Sequence, residues 1–305
     1  MTVWHSLSGG GHPPPETAGR TPSRKQQQWA SVRNHLDALL DRHQQPVTHA
    51  TPPVVPAPEE VDRRQVRREL RAQQRAGIPW CRLGERRAAH RRADQALPRV
   101  LEQRQAERRA AHATGQQEAD AWWQRLVAND PDTVIARLED AFAAQQLPAT
   151  PTAVEGTSAH IAVSVLPVEQ LIGPREPAGT EVGDVSLARM TRTRRHELYQ
   201  AAISSAVIAI AAEAFATCPG ITTLDVAVVC PEQLGGPAVL LLAELPREAV
   251  LPGDARQPIA SSLTELAAGE RAKLVVDRGS RIGAWRPLDP EHDGVRDLLD
   301  ILDAE

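Results

Sequence analysis

The run AAISSAVIAIAA at residues 201–212 decides the fold, because it is apolar on nearly every side of a helix. It lies within residues 193–217, whose spacing predicts one long helix. Glu213 interrupts this segment, and the apolar run is too short to cross a bilayer. We therefore expect a helix that packs inside the protein against a sheet, with no membrane span.

Alternating apolar residues predict strands on both sides of this helix. Residues 160–166 and 222–229 alternate, and residues 238–245 form a nearly continuous apolar run that follows an LGGP turn. Residues 258–268 and 294–302 have helical spacing, and residues 273–276 have the pattern of a short strand. The order β-α-β-β-α-β-α predicts an α+β or α/β domain over residues 115–305, preceded by helices.

The first part of this domain carries helix signals of its own. Trp122, Trp123 and Leu126 cluster on a helix that is expected to end near Asn129. Asp130 can then cap a new helix with Pro131 at its first position, and this helix carries Val134, Leu138 and Phe142. These aromatic residues are expected to lie in the core.

Charge divides the chain into an arginine-rich arm and an acidic body. Residues 61–112 hold 15 Arg against 6 Asp plus Glu, a net of +9. The 193 residues that follow hold 15 basic and 28 acidic side chains, a net of −13. This arrangement indicates a polyanion or an acidic surface as the partner of the arm, the protein's own body included.

The first half of the arm predicts a helix with arginines one turn apart. Such a helix would present a basic stripe about 18 Å long, because each residue adds about 1.5 Å. Its apolar side is only Val66, Leu70 and alanines. The arginines form either a binding surface or a solvated face. The stripe consists of Arg63, Arg67, Arg71 and Arg75, with Arg64 and Arg68 beside it.

Gly77 and Pro79 break the arm, and a second basic run with Arg86, Arg87 and Arg91 follows. The stretch GIPWCRLGERRAAHRR resembles the helix-turn-helix sequences of bacterial regulators. Only Glu85 separates Leu-Gly from Arg-Arg, however, which leaves no room for the turn between two helices. A helical hairpin or coiled-coil arm that continues to about residue 112 is the preferred interpretation.

Residues 1–60 contain nine prolines and little that could build a core, so they are expected to be a disordered leader. Residues 24–43 inside it have the spacing of a short amphipathic helix. An amphipathic helix between flexible stretches is typical of a docking motif for a partner groove, and the alternative is that it packs on its own domain. Its apolar residues are Trp29, Val32, Leu36, Leu39 and Leu40.

Four stretches together resemble a group of actinobacterial proteins to which no activity is assigned. They are WWQRLVANDPDTVIARLEDAF, LARMTRTRRHELYQ, EAFATCPGITTLDVAVV and the late RPLD. The resemblance covers residues 115–302 and, more loosely, the Arg-rich helix before them. It implies that this region is one domain and transfers no functional residue.

The search for catalytic motifs leaves one candidate pair, Asp225 and Glu244 on consecutive strands. Two such carboxylates could hold a divalent cation in a nuclease. Restriction-like nucleases place a Lys two residues after the Glu, and here that position is Pro246. No phosphate loop, GxSxG or HExxH motif is present, so we expect no metal and no cofactor.

The sequence thus favours a non-enzymatic interaction protein, with the metal-dependent nuclease as the alternative. The arm is expected to bind nucleic acid or an acidic protein surface, and the body to serve as an assembly or dimerisation module. Cys81, Cys218 and Cys230 show no CxxC spacing. Cys218 ends a predicted helix and Cys230 ends the strand that follows, so the two are too far apart to form a disulfide. This usage is typical of a reduced, cytoplasmic protein.

Overall fold

The fold is a mixture of helix and sheet, in which N-terminal helices precede a C-terminal region that contains both strands and helices, as the sequence predicts. The computed structural model describes residues 23–179, 185–230, 238–260, 263, 266, 272–276, 285–286 and 288–289. The helices are α1 (Arg24–Leu40), α2 (Arg63–Arg75), α3 (Leu83–Val127), α4 (Pro131–Ala144), α5 (Val168–Leu171), α6 (Arg192–Thr217) and α7 (Arg247–Val250). The strands are β1 (Ala149–Glu155), β2 (Ser158–Ser164), β3 (Arg175–Ala178), β4 (Ser186–Arg189), β5 (Thr223–Cys230), β6 (Ala238–Pro246), β7 (Ala272–Val276) and β8 (Trp285–Arg286).

The main sheet of the described chain has the strand order β1-β2-β5-β6-β7-β8. Strands β2 and β5 are parallel, and the other neighbours are antiparallel. Parallel neighbours need a long crossover connection, and α6 lies in the connection from β2 to β5. Strands β3 and β4 form a separate hairpin that contacts α1.

Helix α6 occupies the centre of the core. It begins where the Thr191 hydroxyl accepts the Arg194 N–H at 3.1 Å, and Pro219 and Gly220 follow its end. By length and composition it could span a membrane, but most of it is buried inside the protein. The prediction of a buried helix is therefore confirmed. Its neighbours in the core include Phe142 of α4, Leu36 of α1 and Val226 of β5.

The described part of the leader is folded onto the protein. Trp29, Leu36 and Val47 are buried, and α1 contacts both α6 and β3. This differs from the expectation of disorder over residues 1–60. Helix α6 is apolar on nearly all sides, and the few apolar residues of α1 pack on the part of it that would otherwise be exposed to solvent. Residues 1–22 lie outside the described part of the chain.

Residues 46–62 follow α1 as an extended segment that we call the strap. The strap first crosses the body, where the Val47 N–H donates to the Arg256 carbonyl at 2.8 Å. It then runs along α3, where the Val55 N–H donates to Gln116 Oε1 at 2.9 Å. Further along, Arg108 Nη1 donates to the Glu59 carbonyl at 2.8 Å. The strap therefore connects the body to the arm through hydrogen bonds at several levels of α3.

One helix, α3, runs through the domain boundary expected between residues 114 and 115. At about 1.5 Å per residue its 45 residues span roughly 68 Å. Thr114 and Gly115 do not stop the helix, and the strap residue Val55 lies over Gly115. The helix-turn-helix interpretation is wrong, because Leu83 and Gly84 begin α3 and do not end an earlier helix.

Several elements differ from the expected order or cannot be compared. Strands β1, β3, β4 and β8 were not expected, because proline or alanine interrupts the alternation of the first three and β8 has only two residues. The LGGP turn, most of the helix expected at residues 258–268 and the terminal helix expected at 294–302 lie outside the described residues. The Asp130 cap and Pro131 at the first turn of α4 are confirmed.

Gly220 sits where two segments of the core approach too closely for a side chain. A Cβ built there would overlap Asn129 Oδ1 and the Val127 carbonyl, and Asn129 Nδ2 donates to the Gly220 carbonyl at 3.0 Å. We expect Gly220→Ala to lower the free energy of unfolding by about 1–3 kcal/mol, the usual cost of overpacking. Thermal or urea unfolding measures this change.

Gly84→Ala is the matched control. A Cβ at Gly84 meets nothing within 4 Å, and the residue lies in the first turn of α3. Alanine is favoured over glycine in helices by about 0.5–1 kcal/mol, so this variant should be as stable as the parent or more so. Equal stability of the two variants would contradict the close approach at Gly220.

Candidate nucleic-acid interface

The basic arm is an α-helical hairpin, in which α2 packs against the first half of α3. Val66 and Leu70 of α2 are buried against Ala93 and Leu97 of α3. Ala89 is also fully buried, and small residues at these positions let the two helices approach closely. The apolar seam is therefore narrow, and most of the surface of both helices is left to polar and charged side chains.

Ion pairs made by two carboxylates across the hairpin supplement this narrow seam. Arg71 Nη2 donates to both carboxylate oxygens of Asp94, at 3.0 and 2.8 Å, and Arg67 Nε lies 3.4 Å from the same carboxylate. On α2, Glu69 binds Arg104 of α3 at 2.7 Å. Each carboxylate comes from one helix and its arginine partners from the other, so the pairs hold the helices together.

The pKa values of both carboxylates reflect these contacts. The hydrogen bond from Arg71 lowers the pKa of Asp94, with the nearby charges of Arg67 and His90 acting in the same direction. The hydrogen bond from Arg104 lowers the pKa of Glu69. Both groups therefore stay ionised at pH values where an ordinary carboxyl would begin to be protonated.

The structure divides the predicted basic stripe of α2 into two kinds of arginine. Arg67 and Arg71 are half-buried and bind Asp94, and Arg75 Nε donates to the Arg71 carbonyl at 3.0 Å. Arg63 is exposed. The sequence pattern predicts one continuous basic surface, whereas in the structure most of the stripe makes contacts within the hairpin.

The arginines that face solvent lie on both helices. On α3, Arg87 and Arg91 of the expected set are exposed, whereas Arg86 is half-buried. The exposed arginines of α2 and α3 are Arg63, Arg64, Arg68, Arg87, Arg91, Arg92, Arg99, Arg108, Arg109 and Arg125. We call the members Arg63, Arg64, Arg68, Arg87 and Arg91 the outer arginines. They come from two antiparallel helices, so the basic surface is broader than a single stripe.

Arg64 and Arg68 were not among the expected binding residues, although a helical projection could have identified them. They lie roughly opposite Val66 and Leu70 around α2, and residues opposite the apolar side of a helix face solvent. Arg67 and Arg71 lie nearer the apolar side, which is why they reach α3. The sequence had no direct signal for Asp94 as their partner, because that contact depends on the hairpin register.

The expected docking residues of α1 face the protein itself. Trp29 and Leu36 are buried, and Val32, Leu39 and Leu40 pack against the same core. The Trp29 indole N–H donates to the Ala178 carbonyl of β3 at 3.2 Å. In this structure the helix therefore packs on its own domain, and its apolar side is not presented to a partner.

The expected carboxylate pair lies on the outer side of the sheet, away from α6. Asp225 is the register partner of both Glu244 on β6 and His160 on β2, so the three side chains form a row. The Ser158 hydroxyl donates to Asp225 Oδ2 at 2.7 Å, and His160 Nδ1 lies 3.8 Å from that oxygen. Within the described residues no group of three or more His, Cys, Asp or Glu side chains is placed to hold a metal.

The role of Asp94 in the hairpin can be tested by removing its charge. We expect Asp94→Asn to speed amide hydrogen exchange in α2, because Arg67 and Arg71 lose the carboxylate that holds them to α3. The effect should be modest, since the pair is partly exposed and screened by solvent. In the parent protein the stabilisation is fully present above the ordinary carboxyl pKa. This stabilisation is lost as pH falls through the lowered pKa of Asp94. The reason is that the Asp94 carboxyl of the unfolded chain, with its ordinary pKa, binds a proton more readily than the same carboxyl in the folded hairpin.

Glu102→Gln is the control for this measurement, since it removes an exposed carboxylate from the same helix. It should leave exchange in α2 at the parental rate at neutral pH. If the two variants exchange alike, the Asp94 contact adds nothing measurable to the stability of the hairpin.

Comparisons of the chain with protein-family models, with curated proteins and with solved structures found no match. A function for the hairpin is therefore inferred from its geometry and its charge.

Proposed function

We propose that the α2–α3 hairpin binds nucleic acid through its outer arginines, in a protein that acts by binding and assembly and not by catalysis. The observation that supports this most directly is that the arginines form two groups, one engaged in ion pairs within the hairpin and one exposed to solvent. Arg67, Arg71 and Arg104 hold the hairpin together through Asp94 and Glu69. The outer arginines face solvent, so they remain accessible to a partner.

A polyanion suits this surface for two reasons. The guanidinium group binds phosphate through two parallel hydrogen bonds, and it is always charged. In addition, each phosphate that an arginine neutralises releases condensed counterions, which favours binding without any need for a shaped groove. An open hairpin surface with many arginines and few apolar residues can therefore bind a polyanion mainly through counterion release. The contacts are to the backbone, so we propose binding with little sequence preference.

The remaining parts of the chain position the hairpin. The second half of α3 joins the body through Trp122, Trp123 and Leu126, and the strap supports the helix between the body and α2. The body itself is acidic, so it repels the polyanion that the arm attracts. We propose that it serves as the assembly module and that the protein is cytoplasmic, in keeping with its three cysteines, Cys81, Cys218 and Cys230, which show no CxxC spacing.

Replacing three arginines of α2 tests the proposal. The parent should bind duplex DNA at low salt, with a log-log salt slope that reflects the number of phosphate contacts. We expect the combined variant Arg63→Gln, Arg64→Gln, Arg68→Gln to flatten that slope by up to about 2.7, at roughly 0.9 per contact. Fluorescence anisotropy of a labelled duplex over a range of salt concentrations measures both quantities.

A matched variant separates local contacts from a change in net charge. Arg175, Arg189 and Arg192 are exposed on the body, and their replacement by Gln removes the same charge. This control should keep the parental slope. A parent that binds polyglutamate through the same α2 arginines, yet shows no binding to DNA at low salt, would replace nucleic acid by an acidic protein as the partner.

The alternative activity, a metal-dependent nuclease, would require Asp225 and Glu244 to hold a divalent cation. The hydroxyl of Ser158 already binds the Asp225 carboxylate, and Glu244 is its exposed neighbour. We expect no cleavage of DNA or RNA by the parent with Mg²⁺ or Mn²⁺, as seen on a gel after prolonged incubation. Cleavage that persists through purification and disappears in Asp225→Ala would establish the nuclease.

A further inference from the structure

The loop that joins α2 to α3 exposes a tryptophan at the tip of the basic hairpin. Trp80 is 80% exposed and Leu83 is 65% exposed, whereas the other large apolar side chains of the hairpin are buried or half-buried. Gly77, with a φ of 82°, lets the chain leave α2, and Pro79 immediately precedes Trp80. The ring is therefore held at the end of the arm with almost no contact to its own protein.

The charge around this tryptophan is strongly positive. Residues 75–92 contain six arginines and one acidic residue, Glu85, which binds Arg82 at 3.2 Å. Among the arginines, Arg87 and Arg91 are exposed on the first turns of α3. A polyanion that follows the outer arginines toward the loop therefore reaches the indole ring at the end of its path.

An exposed aromatic ring among arginines is suited to bases that are not paired. Each base has a π-face that can stack on an indole ring whatever its sequence, and the arginines can hold the flanking phosphates. In a continuous duplex the bases are already stacked on each other, so Trp80 could reach them only by opening the helix. An unpaired base offers its face at no such cost.

We propose that Trp80 stacks on unpaired bases, so that the hairpin prefers single-stranded nucleic acid over duplex. This inference rests on the proposed function and adds the substrate class to it. The outer arginines supply the part of the affinity that depends on salt and is common to both forms. Trp80 supplies the part that separates them.

The test compares one variant on two nucleic acids. Anisotropy measures binding of the full chain to a labelled single-stranded oligo(dT) and to a long duplex whose ends are few. We expect Trp80→Ala to weaken binding to oligo(dT) by about 5- to 150-fold, the range for the loss of one base stack. Binding to the duplex and its salt slope should stay within about twofold of the parent, because the phosphate contacts are intact.

Two further variants identify the ring as the cause. Trp80→Phe keeps an aromatic face and should restore most of the affinity for oligo(dT). Leu83→Ala removes exposed apolar surface from the same tip without removing a ring, and it should bind oligo(dT) like the parent. Because Trp80 is exposed, its variants should keep the parental Tm, and a thermal melt checks that they are folded.

The outcomes separate the two proposals. If Trp80→Ala binds oligo(dT) like the parent while the α2 arginine variant loses binding, the arginine interface stands and the stacking role is wrong. Equal losses on oligo(dT) and duplex, or an equal loss in Leu83→Ala, would also overturn stacking, because the tip would then act as a general apolar contact. If the parent binds neither form at low salt, both proposals fail.

Discussion

Covering α6 is the constraint on which the rest of the structure depends. This helix is apolar on nearly all sides, so a sheet packed on one side cannot bury all of its apolar surface. Helix α4 covers a second side, and α1 with the turn that follows it covers a third. The recruitment of α1 has a consequence beyond the core. Because α1 is fixed on the body, the strap behind it has a fixed starting point and reaches α3 along a defined path.

The arm follows a different principle from the body. Its seam is narrow and rich in alanine, and two carboxylates, Asp94 and Glu69, each bind arginines across it. Such pairs add little stability when exposed, but they fix which residues meet and so the register of the hairpin. This arrangement uses few acidic groups for many basic ones. The excess charge therefore remains on the surface, where a partner can use it.

The parts of the structure that depend on local pattern could be predicted from the sequence. The strands β2, β5 and β6, the long helix α6 and the Asp130 cap all follow from periodicity or from a cap residue. The sequence could not show which arginines face inward, because Arg67 and Arg71 are distinguished from Arg64 and Arg68 only by the register against Asp94. It also could not show that α3 is continuous past Gly115, since a glycine in a helix is disfavoured yet is tolerated where the strap packs over it. The sequence also could not show that α1 packs on its own protein, because this depends on the surface of α6, which lies far away in the chain.

The contact between α1 and α6 joins residues far apart in the chain, and this separation bears on the order in which the protein folds. The Ser205 hydroxyl on α6 hydrogen-bonds His43, which lies three residues past the end of α1 and 162 residues before Ser205. The ion pairs across the hairpin, in contrast, join residues 23 to 35 positions apart, as in Arg71 with Asp94 and Glu69 with Arg104. Local contacts form sooner than distant ones, and synthesis proceeds from the N-terminus. We therefore expect the hairpin to form on the ribosome well before the core exists. Helix α1, the first of the described helices, must wait for a partner that emerges some 150 residues later, so α1 is among the last of these elements to reach its native place.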